Sequence, residues 1–212
     1  MYKKRKRGNK KLRIGFQGSN VHVQDLLIVI DAVAELQEKY GFEFYVFGID
    51  DESLKKLNKF CLEYKKEKWK WMMDFPELYA RLQKMEYKHI PSVSYDEYRN
   101  KLSELNFDIG IAPLTDTRFN RSKSCLKFYE YAAVGTVTLA SNVIPYSVEM
   151  DKEDLVKNRH DKWVSKLRKL IVDETYRQER LYAQEAWVNE MRDIKKVAKH
   201  WEETIISIIK NK

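Results

Sequence analysis

No stretch of the 212-residue chain holds the roughly 18–20 consecutive apolar residues that a membrane-crossing helix requires. Behind Met1 come Tyr2, Lys3, Lys4 and Arg5, with none of the apolar run of a secretory signal. Both absences argue against an integral membrane protein or an exported one. Cysteine is scarce, with Cys61 and Cys125 the only two. So few thiols in a chain of this size suit a reducing compartment, where they stay free, and point to the cytosol. The four histidines, His22, His89, His160 and His200, fall with the cysteines into no C-x2-C or H-x3-H spacing. A metal site built from sequence-local ligands is therefore not expected.

With 43% hydrophobic and 34% charged residues, the chain can bury a core and stay in solution, as one large domain or one domain with an appendage. The net charge of +8 is unevenly placed. Residues 1–13 carry eight Lys and Arg and no acid, so the rest of the chain balances at 32 of each sign. The body is not basic, and nucleic acid is not the expected partner. Residues 1–11 read as a flexible basic arm, and residues 3–13 could make a weak contact with anionic lipid, which would place the protein at the membrane periphery. The plainer alternative is a solubilising tail. The lysine-aromatic stretch Tyr64 to Trp71 could stack on RNA, although a folded amphipathic cover is the better reading.

Along the chain, Leu12 to Phe16 is a short apolar run ending in the turn residues Gln17, Gly18, Ser19 and Asn20, and predicts a first strand. Leu26, Leu27, Ile30, Val33, Ala34 and Leu36 then recur at helical spacing, with Ser19 or Asn20 placed to cap and Gly41 to stop the helix. Phe42 to Gly48 is apolar and aromatic enough for a strand covered on both faces. Strand, helix and strand in so short a span make a βαβ unit, whose handed crossover sets the strands parallel. Residues 50–85 give no clear element pattern. A short strand at Tyr87 to Ile90 follows, then a helix from Ser94 to about Leu105 opened by the capping-box pair Ser94 and Glu97. Phe107 to Ala112 is a strand closed by Pro113, Ser124 to Val134 a helix stopped by Gly135, and Thr136 to Ala140 a strand. From Asp151 onward the pattern is helical, with one stripe at Trp163, Leu167, Leu170 and Ile171 and another at Ile194, Val197, Ala198, Trp201, Ile205 and Ile208. The expected architecture is α/β, a doubly wound parallel sheet over residues 12–212 with a C-terminal helical cover from about residue 151.

In such a sheet, ligands sit beyond the carboxyl ends of the strands. Three segments meet there: Gln17 to Asn20, Pro113 to Ser124, and Ser141 to Tyr146. The middle one is the most informative, because Asn120, Ser122, Lys123 and Ser124 stand at a helix start. Open N–H groups and the positive end of the helix dipole attract phosphate there, and Lys123 adds a full charge. Glu130 lies six residues beyond Ser124 and could accept two hydrogen bonds from a ribose diol. The pattern is that of a nucleotide clamp.

The residues Asp108-Ile-Gly-Ile-Ala-Pro-Leu114, then Asn120-x-Ser-Lys-Ser-x-x-Lys127-x-x-Glu130-Tyr-Ala-Ala-x-Gly135, then Leu139-Ala-Ser141 resemble the C-terminal, donor-binding half of GT-B glycosyltransferases, in particular the large retaining group-1, GT4-like type. The opening strand with its Gly18-Ser-Asn-x-His22 turn, the strand end at Phe47 and Gly48, and the tail with Trp163, Arg177, Val188 and Trp201 fall in the same order.

The resemblance implies a single Rossmann-like GT-B half that binds a nucleotide-diphosphate sugar, UDP-, GDP- or ADP-linked, in a retaining glycosyltransferase of the hexosyltransferase type, without a metal. Glu130 matches the ribose-binding second glutamate of the E-x7-E motif. The first acid of that motif falls on Ser122, which cannot supply a carboxylate. Carried over in the same way, Lys123, Ser124, Cys125 and Lys127 hold the diphosphate with Gly18 and Ser19, Asn120 and Ser122 face the sugar, and Tyr95 flanks the base. The Arg and Lys pair that many relatives place after the first strand is not present between Gln17 and Asp25, so Lys123 or Lys127 is left to replace it. The resemblance assigns no catalytic residue and no protein base, acceptor deprotonation falling to the leaving phosphate. It also implies an acceptor-binding half absent from this chain, supplied by a longer protein or by a separate partner chain. The alternatives are a non-catalytic nucleotide-sugar-binding module and, more remotely, a nucleic-acid-binding protein.

Overall fold

The computed structural model describes residues 11–49, 52, 55, 56, 59 and 74–210. Most of the basic arm, Cys61 and the stretch Tyr64 to Trp71 lie outside the described residues. Six strands run in the order β1 (Arg13–Gln17), β2 (Glu43–Phe47), β3 (Lys88–Ile90), β4 (Ile109–Ala112), β5 (Val137–Ser141) and β6 (Leu155–Val156). They pair β3-β2-β1-β4-β5-β6, every pair parallel. Strand order reverses between β1 and β4, so the loops leaving these two strands diverge to opposite sides and open a crevice at their carboxyl ends.

The pleat sorts the side chains. Ile14, Phe16, Phe44, Val46, Ile109, Ile111, Val137 and Leu139 share one buried cluster on the first face. Helices α1 (Val23–Leu27), α2 (Ile30–Tyr40), α3 (Asp74–Leu82) and, later in the chain, α8 (His160–Val172) cover it. Tyr45, Phe47, Phe107 and Tyr131 pack on the second face, covered by α4 (Tyr95–Leu105) and α6 (Leu126–Ala133). Between them stand two paired glycines, Gly15 and Gly110, in register on β1 and β4. A Cβ would meet the Phe107 ring 2.2 Å from Gly15 and the Tyr131 ring 2.6 Å from Gly110. The bare backbone lets both rings lie flat on the sheet, and the Tyr131 hydroxyl donates to the Gly15 carbonyl at 3.1 Å.

Two short helices, α5 (Arg118–Arg121) and α7 (Tyr146–Glu149), sit in the loops after β4 and β5. Helix α9 (Glu174–Met191) packs against α6, α8 and β5, and α10 (Ile194–Lys210) follows it. No helix among the described residues is long and apolar enough to cross a membrane.

Several boundaries differ from the pattern-based expectation. The first helical run is broken at Ile28 and Val29 into α1 and α2. The segment after Asp151 is not continuous helix: a 3-10 turn at Lys152–Asp154 and the strand β6 intervene before α8, and a two-residue strand is too short for alternation to reveal. Arg13 opens β1 within the strand expected from Leu12 to Phe16, and its guanidinium donates to Glu43 Oε2 at 3.1 Å and to the Leu105 carbonyl at 3.0 Å. Helix α6 starts at Leu126, capped by Cys125, so Glu130 stands one turn along it. The stripe on α10 faces outward, with Trp201 63% exposed.

Candidate functional site

A cavity of about 560 Å³ opens at the carboxyl ends of β1 and β4. Gln17, Gly18, Ser19 and His22 line it from the β1 loop, Phe47 and Gly48 from the end of β2, and Lys123, Ser124, Leu126, Lys127 and Glu130 from α6 and its approach. Ser92, Val93, Tyr98, Leu114 and Tyr146 complete the wall. The β1 and β2 ends are fastened together, Gly18 N–H donating to the Phe47 carbonyl at 2.9 Å. Gly48 sits at φ +94°, and a Cβ there would come 2.9 Å from the Gly18 carbonyl oxygen. Only glycine fits that crossing.

Glu130 projects from the second turn of α6 onto two donors. Gln17 Nε2 and the Tyr98 hydroxyl each lie 2.9 Å from its Oε2. The Tyr98 ring stacks on Phe47 with centroids 5.6 Å apart and planes 14° from parallel, which fixes the hydroxyl's aim. Burial raises the Glu130 carboxyl above its usual value, while Tyr98, Gln17 and the nearby Lys127 ammonium oppose the shift. Oε1 takes part in neither bond, so one face of the carboxylate stays free toward ligand.

Lys127, one helical turn before Tyr131 on α6, presents the opposite case. Its Nζ is inaccessible and has no hydrogen-bond partner, lying 4.9 Å over the Phe16 ring. Burial depresses its pKa from 10.5 to about 8. A buried ammonium without an acceptor costs free energy unless an anion arrives. The N-cap of α6, Cys125, makes no side-chain cap; its carbonyl accepts from Phe128 N–H at 2.9 Å, which leaves the N–H groups of Leu126 and Lys127 as the helix's opening donors beside Ser124 and Lys123.

His22 and Asp25 form a second polar group. His22 Nδ1 lies 2.8 Å from Asp25 Oδ2, and Asp25, 2% exposed, accepts on Oδ1 from the Thr115 backbone N–H at 2.7 Å and from its hydroxyl at 2.9 Å. Burial works to raise the Asp25 carboxyl, but the His22 and Thr115 hydrogen bonds outweigh it and hold the group below its usual value. Thr115 is held in turn by the Asn120 amide, which donates to the Thr115 carbonyl at 2.8 Å.

Of the residues expected from sequence, Glu130, Lys123, Ser124, Lys127, Gly18 and Ser19 line the cavity. The other four are placed elsewhere. Cys125 is fully buried, and burial pushes its thiol up to about 12. Asn120 spends its amide on Thr115, and Ser122 is exposed with its hydroxyl 3.4 Å from the Arg118 carbonyl. Tyr95, 89% exposed, lines a neighbouring depression on the far side of Tyr98 that shares Glu130. Gln17 and Tyr146 bound segments that sequence reasoning brought to the site but were given no role there, and Tyr98 was missed. Tyr98 carries a usable signal, since four residues after the Ser94 cap it must face the sheet. Among the described residues, no group of three His, Cys, Asp or Glu side chains is placed to hold a metal ion.

No protein-family model matches the chain, and no curated protein sequence matches it. Solved structures do. A glycosyltransferase from Rickettsia africae superposes with TM-score 0.64 at 15% identity, over 96% of this chain and 49% of that one. The C-terminal domain of a group 1 family glycosyl transferase from Francisella tularensis gives 0.57 at 16% identity, over 86% and 87%. A trehalose-6-phosphate structure from E. coli, bound with UDP-2-fluoro glucose, gives 0.62 at 15% identity, over 94% and 44%. The chain thus spans about half the length of the Rickettsia and E. coli proteins. Its fold is that of one Rossmann-like half of a GT-B glycosyltransferase.

Proposed function

We propose that the chain is the donor-binding half of a retaining glycosyltransferase and holds a nucleoside-diphosphate sugar in the cavity at the carboxyl ends of β1 and β4. One observation carries the reading: Lys127, whose buried ammonium has no hydrogen-bond partner, and Glu130, a carboxylate pre-aimed by two donors, both line one cavity at the switch point of the sheet. Lys127 supplies the charge a diphosphate needs, Lys123 and the open N–H groups of α6 add to it, and the free Glu130 oxygen accepts from the ribose hydroxyls. A cavity of about 560 Å³ is within the usual range of small-ligand pockets, roughly 300–1,000 Å³. Fold analogy to the UDP-2-fluoro glucose complex agrees with it.

In this reading the residues stabilise charge on the departing diphosphate, by fixed dipoles and cations in a site shielded from water. The acceptor and the half that binds it lie outside this chain.

A second reading, a nucleotide-sugar-binding module without transfer, is favoured by one feature. Ser122 takes the place of the motif's first acid and is turned away from the cavity, on the Arg118 carbonyl.

The test is a thermal-shift panel of UDP-, GDP- and ADP-sugars on the whole chain. A ligand selective for the folded state raises the midpoint, and Glu130→Ala should remove the rise. No shift with any of them overturns both readings. Sugar transfer on adding an acceptor-binding partner half separates the first reading from the second.

A further inference from the structure

The cavity wall contains a histidine that diphosphate binding does not obviously require. His22 is half-buried and lines the cavity, with Nδ1 committed to Asp25 at 2.8 Å. Asp25 is itself fixed by two Thr115 donors. A carboxylate on Nδ1 keeps the proton there and leaves Nε2 as the ring's remaining polar atom. No hydrogen bond to Nε2 is present among the described residues. Aspartate behind, histidine in front and an open nitrogen beyond is an arrangement that stabilises an imidazolium whenever negative charge enters the front side.

The charged groups facing the ring are Asp25 on α1, Lys123 before α6 and Lys127 on α6. Burial lowers the pKa of His22 from 6.5, and the ammonium groups of Lys127 and Lys123 act in the same direction, against the opposing pull of Asp25. A diphosphate reverses the sign of that field. Its two negative charges compensate Lys123 and Lys127 and offer oxygen acceptors to a protonated Nε2.

Resting on the nucleotide-sugar reading above, we infer that His22, positioned by Asp25, takes up a proton from solvent when the donor binds and becomes a hydrogen-bond donor to its diphosphate. The site then holds three cations against the leaving group, the third one present only in the bound state. Asp25 acts as a positioning residue, since it touches the imidazole and not the ligand. The competing role for His22 is a neutral acceptor for a sugar or ribose hydroxyl, which moves no proton.

The experiment is isothermal titration calorimetry of the whole chain with UDP-glucose, GDP-mannose and ADP-glucose at pH 7.0, in PIPES and in imidazole buffer. These diphosphate diesters have no group of their own titrating near neutrality, so a buffer-dependent enthalpy reports protons taken up by the protein. With a pKa of about 8, Lys127 is already charged at pH 7 and contributes only about 0.1 proton. Wild type should take up roughly half a proton or more per ligand. His22→Gln should reduce this to near zero and weaken binding about tenfold, and Asp25→Asn should lower it as well. Imidazole 15N resonances of the wild-type chain, with His22 identified by its loss in the Gln variant, should move to the doubly protonated pattern on ligand addition. That measurement stands even if Asp25→Asn fails to fold.

Binding without proton uptake, or uptake unchanged in His22→Gln, overturns this inference and leaves the nucleotide-sugar reading intact. No binding by any of the three sugar nucleotides overturns both.

Discussion

Lys127 sets site chemistry against fold stability at a single residue. Its depressed pKa means that the folded chain resists protonation there more than the unfolded chain does. Stability is therefore lost as pH falls from 10.5 toward 8, and the penalty is complete below 8. The depression corresponds to at most about 3 kcal/mol. Lys127→Met keeps the length of the side chain and removes the charge, so at pH 7 it should stabilise the empty protein by about 1–3 kcal/mol, raising Tm by roughly 3–8 °C. The same variant should lose nucleotide-sugar binding. Melts of wild type and variant at pH 7 and pH 10.5 check the sign: the gain should shrink at the higher pH, and a variant less stable than wild type at pH 7 would refute the assignment. Residue-level legibility followed the same physics. That Glu130 and Lys123 line the cavity was readable from a helix start with a carboxylate further along it, while Lys127 came only through the resemblance. Tyr98 was missed although its distance from the Ser94 cap marks it as facing the sheet, and Tyr146 was legible only as the end of a segment expected near the site, because which side chains of such a segment reach the cavity is set by packing. The placement of Cys125 was not legible, since a small side chain at a cap can point either way.

Among the elements, β5 illustrates a device that strand periodicity cannot reveal. In a parallel strand both backbone groups of a residue point toward the same neighbour. Those of Thr138 point toward β6, which pairs only with Ala140 and Ser141. The Gln184 amide on α9 fills the gap: Thr138 N–H donates to its Oε1 at 2.7 Å, and its Nε2 donates to the Thr138 carbonyl at 2.9 Å. One side chain thus extends the sheet by one ladder rung. Gln184→Leu leaves two buried backbone groups unpaired and should destabilise the fold by about 2–4 kcal/mol, read as a lower urea midpoint at unchanged slope. A cost below about 0.5 kcal/mol would mean that water replaces the amide. The strands themselves were legible from their apolar runs, and the Ser94 and Glu97 capping box was found as expected. The break between α1 and α2 was not legible, since Leu26 to Leu36 keeps helical spacing straight across it. The short helices α5 and α7 escaped for a related reason, four residues being too few to establish a period.

At the scale of the whole molecule, three clusters account for the core among the described residues, one on each face of the sheet and a third around Leu114, Phe128 and Tyr146, and α10 belongs to none of them. None of its residues is buried, and Ile194, Trp201, Ile205, Ile208 and Ile209 are each at least half exposed. The helical stripe read from sequence is real, but periodicity tells only that a face is apolar, not that anything in the same chain covers it. Trp163 is fully buried and Trp187 stacks against Tyr129 with centroids 6.4 Å apart, whereas Trp201, on the second stripe, stands out in solvent. Since helical stability in proteins comes chiefly from packing an apolar face, α10 contributes little to the cooperative unit. Removing residues 194–212 should therefore change Tm by less than about 2 °C, which is under about 1 kcal/mol in a chain of this size. It should also reduce concentration-dependent light scattering, because the exposed apolar patch goes with it. Nucleotide-sugar binding should be unaffected, as no cavity residue lies beyond Tyr146. A fall of more than about 5 °C would show that α10 docks on the sheet domain in solution and that the core extends further than the two faces described.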